Sequence, residues 1–117
     1  MDQDNYQENI LDVTKLNETF MSDSDIIKQI LSAFQETAAS FEEDFKTLGR
    51  AKNKEELSRL VHGLKGSSAN IRAGNVARQS AHIQQLIDQN KDYSSEAAEL
   101  FDSLSQLNDQ IIKFKAG

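Results

Sequence analysis

The sequence predicts an all-α fold, an antiparallel four-helix bundle with a short additional N-terminal helix. Proline is absent from the 117 residues, and runs of alternating β-branched residues are scarce. From about Leu11 onward, apolar residues instead recur at intervals of three and four, which places them on one face of a helix. The connections between these segments are short, and short connections make consecutive helices antiparallel neighbours.

The first two predicted helices occupy the N-terminal half of the chain. The apolar pattern of residues 11–20 predicts a short helix that lies across one end of the bundle and packs there with Leu11, Leu16 and Phe20. The following helix is predicted to be the longest, with N-cap candidates at 22–24 and a stop at Gly49. Its apolar seam consists of Ile27, Ile30, Leu31, Phe34, Ala38, Phe41, Phe45 and Leu48.

Three more helices are predicted after that stop. One begins near Asn53, a plausible N-cap with Glu56 three residues later, and ends at 72–74. The last begins after the polar segment 89–92 and is capped by Ser94 or Ser95. The predicted buried positions are Leu57, Leu60, Val61, Leu64 and Ile71 on the first of these helices, Val76, Ser80, Ile83 and Ile87 on the second, and Ala97, Leu100, Leu104, Leu107, Ile111 and Phe114 on the third.

Composition narrows the function classes. The length fits one domain, 1–117, with a core of about 11–115 and a polar lead-in at 1–9. The absence of cysteine excludes disulfides and thiolate chemistry, and the net charge of −6 argues against a nucleic-acid partner. Neither a signal-peptide pattern nor an apolar run of membrane-spanning length is present, so we expect a cytoplasmic protein without a membrane partner.

The helix over 57–71 carries an unusual outer face. At about 100° per residue, His62 lies roughly 160° from Leu64 and therefore faces solvent. Gly66 and Ala69 follow on the same strip. Gly63 and Gly66 each cost about 1 kcal/mol relative to alanine inside a helix. Either a partner surface approaches closely there, or the glycines are tolerated flaws or admit a neighbouring helix.

The chemistry that this face can support is nucleophilic. A neutral imidazole can attack an electrophilic phosphorus, and a cation one turn away would stabilise the phosphoryl charge. Lys65 stands at that spacing from His62. The alternatives are that His62 is an ordinary solvated histidine and Lys65 a simple surface charge.

The run from His62 to Ile71, His-Gly-Leu-Lys-Gly-Ser-Ser-Ala-Asn-Ile, resembles the His-x-Leu-Lys-Gly-Ser-Ser signature of histidine-containing phosphotransfer (HPt) domains. The helical layout is similar over nearly the whole chain. The resemblance implies a left-handed four-helix bundle whose exposed histidine takes a phosphoryl group from an aspartyl phosphate on one receiver domain and passes it to another. His62 would be the phosphorylation site, Lys65 would stabilise the phosphoryl charge, and Gly66, with Gly63, Ala69 and Arg59, would form the receiver-docking surface.

Several HPt domains use a glutamine on the next helix to orient the histidine ring. Gln84 stands at the matching position, and Gln85 is the adjacent alternative. The helical wheel places Gln84 on the flank of the buried seam and Gln85 in solvent, which favours Gln84. Many members have glycine in the preceding turn where this sequence has Arg72, and this departure leaves the register of the third bundle helix open.

The predicted function is that of a phosphocarrier in a two-component phosphorelay, not an enzyme, because the chain has no phosphate-binding glycine-rich loop. The expected partners are response-regulator receiver domains and an upstream (hybrid) histidine kinase. We expect a monomer that binds no cofactor, with Mg²⁺ on the receiver. His62 and His82 lack partners at metal-ligand spacing, and Ser67 and Ser68 are interpreted as structural.

Two alternatives stay open. One is an HPt module excised from a hybrid sensor kinase or a chemotaxis-type kinase, although Met1 and its polar lead-in favour a standalone protein. The other is a helical adaptor that binds receivers without phosphotransfer.

Overall fold

The computed structural model describes residues 10–117, and the helices of this part follow one another with short turns. They are α1 (Val13–Thr19), α2 (Ser24–Ala39), α3 (Phe41–Arg50), α4 (Lys54–Asn70), α5 (Gly74–Asp88) and α6 (Ser94–Ala116). The described residues form no strand. The predicted all-α bundle with a short N-terminal helix is confirmed. The predicted polar lead-in, residues 1–9, lies outside the described residues.

Side-chain caps fix where α2 and α4 begin. The Asp23 carboxylate accepts a hydrogen bond from the Ile26 backbone N–H at 3.2 Å, within the predicted N-cap region. The Asn53 side chain accepts one from the Glu56 N–H at 3.2 Å, which confirms the predicted N-cap. Each cap satisfies a backbone donor that would have no partner inside its own helix.

The start of α6 corrects a prediction, since neither Ser94 nor Ser95 is its N-cap. Tyr93 occupies the N-cap position without a side-chain bond. Instead, the Asp92 carboxylate accepts from the Ser94 hydroxyl at 2.7 Å and from the Ser94 backbone N–H at 3.0 Å. These bonds lower the pKa of Asp92 below its ordinary value. The stability that they add is therefore present near neutral pH and is lost as the pH falls through the lowered pKa.

The prediction of one long helix that ends at Gly49 is wrong, because the helix is interrupted at Ser40. The ψ angle of Ser40 is 0°, where an α-helix requires about −42°. On α3, Phe45 packs edge-to-face against Phe101 of α6 and against Tyr93, the residue before α6, with centroid distances of 5.5 and 5.6 Å. Phe41 joins the same cluster. The longest helix is α6, with 23 residues.

Left-handed residues, none of them glycine, end four of the helices, and at the end of α1 they are Met21 and Ser22. Lys52, Arg72 and Asn90 have φ angles of 56°, 63° and 57° and follow α3, α4 and α5. The predicted stop at Gly49 is wrong, because α3 continues to Arg50 and Lys52 supplies the left-handed turn. In each case an N–H just beyond the helix bonds a carbonyl five residues earlier, as in the Schellman motif.

The turn between α4 and α5 sets the register of the two helices. Helix α4 ends at Asn70, two residues before the predicted range, and Arg72 adopts the conformation that glycine would favour there. The Ala73 N–H bonds the Ser68 carbonyl at 2.9 Å. The Arg72 guanidinium also donates to Thr19 Oγ1 at 3.1 and 3.3 Å. Arginine at this position therefore keeps the compact turn and ties it to the end of α1.

The core lies where the apolar seams of the helices meet. Most predicted seam positions are buried, but those at its edges, including Leu60, Leu104 and Phe114, are only half-buried. The residues with less than 2% exposure include Leu16, Ile27, Leu31, Val61, Ile71, Val76, Ile83, Leu100, Leu107 and Ile111.

Candidate functional site

The outer face of α4 carries His62. Leu57, Val61 and Leu64 are buried at the three- and four-residue intervals that mark one helical face. His62 lies opposite this buried face and is exposed. The packing of these residues in the core therefore fixes the rotation of α4 about its own axis and leaves the imidazole ring uncovered.

The ring of His62 contacts the neighbouring helix through Gln84. Its Nδ1 lies 3.3 Å from Oε1 of Gln84 on α5, whereas Gln85 is exposed. An amide oxygen can only accept a hydrogen bond, so this contact requires the proton to be on Nδ1. The Nε2 atom of the neutral ring then carries a free lone pair.

Two further polar residues extend this contact. The Gln84 side-chain Nε2 donates to Ser58 Oγ at 3.5 Å, and the Ser58 hydroxyl donates to the Asp88 carboxylate at 2.9 Å. Sequence reasoning missed Ser58 and Asp88. The sequence does contain a signal for them, because Ser58 precedes His62 by four residues and Asp88 follows Gln84 by four. Two antiparallel helices bring such positions together.

The glycines of α4 face open space. A Cβ atom built on Gly63 or Gly66 would meet no heavy atom within 4 Å, and neither glycine has a positive φ. No neighbouring helix of the described chain therefore requires these glycines. Ala69, one turn beyond Gly66, is also exposed, so the strip next to His62 is almost free of side-chain bulk.

The charged residues near His62 differ in whether they have a partner. An open groove beside the ring is lined by Lys54, Glu55, Ser58, Arg59, His62, Gln84 and Asp88. Arg59 forms an ion pair with Glu56 one turn earlier. The Lys65 side chain is exposed, and its ammonium has no hydrogen-bond or ion-pair partner among the described residues.

The remaining candidates from the sequence lie elsewhere. Ser68 is buried, and its hydroxyl donates to the Leu64 carbonyl at 2.7 Å. Ser67 is half-buried, and His82 is exposed on α5. Within residues 10–117, no three His, Cys, Asp or Glu side chains are grouped so that they could hold a metal ion.

Comparison with known families assigns the chain to one of them. The family model of the Hpt domain matches residues 29–116, a range that includes α3 to α6 and most of α2. The chain belongs to the Hpt domain family. Hpt domains are phosphocarriers that act in two-component signalling, where they interact with response regulators and histidine kinases.

Neither the curated proteins nor the solved structures contain a match to the chain. Across the described residues of this Hpt domain, no helix is both long and apolar enough to span a membrane.

Proposed function

We propose that this Hpt domain carries a phosphoryl group on Nε2 of His62 between aspartates of response-regulator receiver domains. The observation that supports the proposal most strongly is the contact of Nδ1 with Gln84 on a ring that is otherwise exposed. This contact leaves the Nε2 lone pair available, and the ring stands on a strip that a partner can approach.

The chemistry is a reversible exchange of one phosphorus bond for another. The Nε2 lone pair attacks the phosphorus of the receiver's aspartyl phosphate, the P–O bond breaks, and its electron pair returns to the aspartate carboxylate. The Nδ1 proton stays on the ring and continues to bond the Gln84 oxygen, which stabilises the cationic phosphoimidazole. The reverse reaction on a second receiver restores the neutral ring.

Other residues assist this exchange in the proposal. Lys65 is one turn from His62, and its unpaired ammonium would stabilise the phosphoryl oxygens. Gly63, Gly66 and Ala69 would form the docking surface for the receiver. Arg59 would extend this surface if an acidic group of the receiver displaces Glu56 from its ion pair.

The partners and the division of labour follow from the same chemistry. The domain would act as a monomer. Its partners would be receivers and an upstream (hybrid) histidine kinase that charges them. Mg²⁺ would be bound by the receiver, where it neutralises phosphoryl oxygens during transfer. The domain itself would have no autokinase activity, because the phosphoryl group arrives already activated.

The test is transfer in the absence of ATP. Receivers from the host are labelled with radioactive phosphate, purified and mixed with this protein, and the label is followed over time. We expect it to move to this protein, to be labile in acid and stable in alkali, and to pass to a second receiver. ATP alone should give no label.

The outcomes separate the alternatives. Failure of every host receiver to transfer label would contradict the proposal, as would a label that survives acid but not alkali. A receiver that binds tightly but transfers nothing would identify an adaptor instead.

A further inference from the structure

The polar contacts beside His62 form a continuous chain across two helices. It alternates between α5 and α4 and runs Asp88–Ser58–Gln84–His62, with distances of 2.9, 3.5 and 3.3 Å. We propose that Ser58 and Asp88 are positioning residues, which fix the orientation of the Gln84 amide and, through it, the tautomer of His62. The consequence for phosphoryl transfer rests on the function proposed above, but the effect on the tautomer does not.

The direction of every bond in this chain follows from its outer end. The Asp88 carboxylate can only accept, so the Ser58 hydroxyl must use its single proton as a donor to it. Toward Gln84 the hydroxyl can then only accept. The Gln84 NH₂ group therefore faces Ser58, and the Gln84 oxygen faces His62, which places the ring proton on Nδ1.

Without this chain the Gln84 side chain would have no preferred orientation. An amide turned end for end has almost the same shape, but it would present its NH₂ group to Nδ1 of His62. That arrangement favours an unprotonated Nδ1 and hence a proton on Nε2. A protonated Nε2 cannot attack phosphorus, so the orientation of the amide decides whether the neutral ring is competent.

The position of Asp88 supports a specific role. Asp88 is the last residue of α5, where the helix dipole disfavours a carboxylate. The ammonium of Lys54 does not bond the Asp88 carboxylate; it donates to the Asp88 backbone carbonyl at 3.2 Å. The hydrogen bond that the carboxylate accepts is the one from Ser58.

The geometry also fixes the scale of the effect. The two contacts of Gln84, 3.3 and 3.5 Å, are at the long end of hydrogen-bond distances. Ser58 and Gln84 are half-buried, and Asp88 is exposed. We therefore expect this series of hydrogen bonds to shift the populations of the two His62 tautomers while the fold remains unaffected.

The experiment measures the tautomer directly. Long-range ¹H–¹⁵N spectra of the full, unphosphorylated chain are recorded at alkaline pH, where the ring is neutral. We expect His62 to be mainly in the Nδ1–H form in the wild type and in Ser58→Thr, which keeps the hydroxyl. In Ser58→Ala and Asp88→Ala we expect a shift toward the Nε2–H form.

Matched controls and a kinetic readout complete the test. Ser105→Ala and Asp109→Ala change exposed residues of α6 and should leave the tautomer as in the wild type. Transfer to Ser58→Ala and Asp88→Ala should be slower by about twofold to tenfold, since the rate scales with the competent fraction of the ring. Melting temperatures identify any variant that is unfolded.

The two failures are distinguishable. An unchanged tautomer in both folded variants would overturn the positioning role, even if the wild type accepts phosphoryl groups normally. A shifted tautomer in a protein that no receiver can phosphorylate would support the positioning role and contradict the proposed function.

Discussion

The His62→Gln variant of this Hpt domain is expected to accept no detectable phosphoryl group from a labelled receiver. Glutamine keeps a polar side chain and helical propensity, but its amide nitrogen has no nucleophilic lone pair. His62 is exposed, and surface substitutions usually change the free energy of unfolding by about 0.5 kcal/mol or less. The melting temperature should therefore stay near the wild-type value while transfer is lost.

The chain provides a matched control in its second histidine. His82 is exposed on α5, and the His82→Gln variant should accept label at the wild-type rate. Transfer kinetics of the three proteins with the same receiver make the comparison. Equal labelling of His62→Gln and wild type would mean that the phosphoryl group resides on another residue.

Substitutions of Gly66 should separate stability from transfer. Since a Cβ at Gly66 meets nothing within 4 Å, Gly66→Ala should raise the free energy of unfolding by about 1 kcal/mol. Gly66→Phe should also fold, because its ring would extend into open space. The same ring would clash with a docked receiver, and a clash of about 3 kcal/mol slows transfer at low receiver concentration by about 100-fold.

Urea denaturation and transfer kinetics measure the two effects. Ala98→Phe is the control, since Ala98 is exposed on α6, and it should not slow transfer. Wild-type kinetics in Gly66→Phe would remove the docking explanation for this glycine. A Gly66→Ala variant less stable than the wild type would mean that the fold itself requires glycine there.

Much of the fold could be predicted because helical periodicity is local. The spacing of Leu57, Val61 and Leu64 fixes which face of α4 is buried, and it therefore also predicts that His62 is exposed. The break at Ser40 could not be read in this way, because neither proline nor glycine marks it. After the break, Phe45 packs against Phe101 of α6 and against Tyr93 just before it, and contacts between residues so distant in sequence are tertiary information.

The site was only partly predictable for a similar reason. The resemblance to HPt domains gave His62, Lys65 and Gln84 their proposed roles, but the distance between His62 and Gln84 depends on the turn at Arg72. Arginine is not a typical left-handed residue, so the sequence left this turn open. Ser58 and Asp88 become visible only when the antiparallel register of α4 and α5 is known.

The central claim is that Nε2 of His62 carries the phosphoryl group, and nuclear magnetic resonance of the phosphorylated, ¹⁵N-histidine-labelled protein tests it most directly. We expect a ³¹P–¹⁵N coupling to Nε2 of His62, with the proton retained on Nδ1 beside Gln84. Phosphorus bound to Nδ1 of His62, to His82 or to an oxygen atom would contradict it.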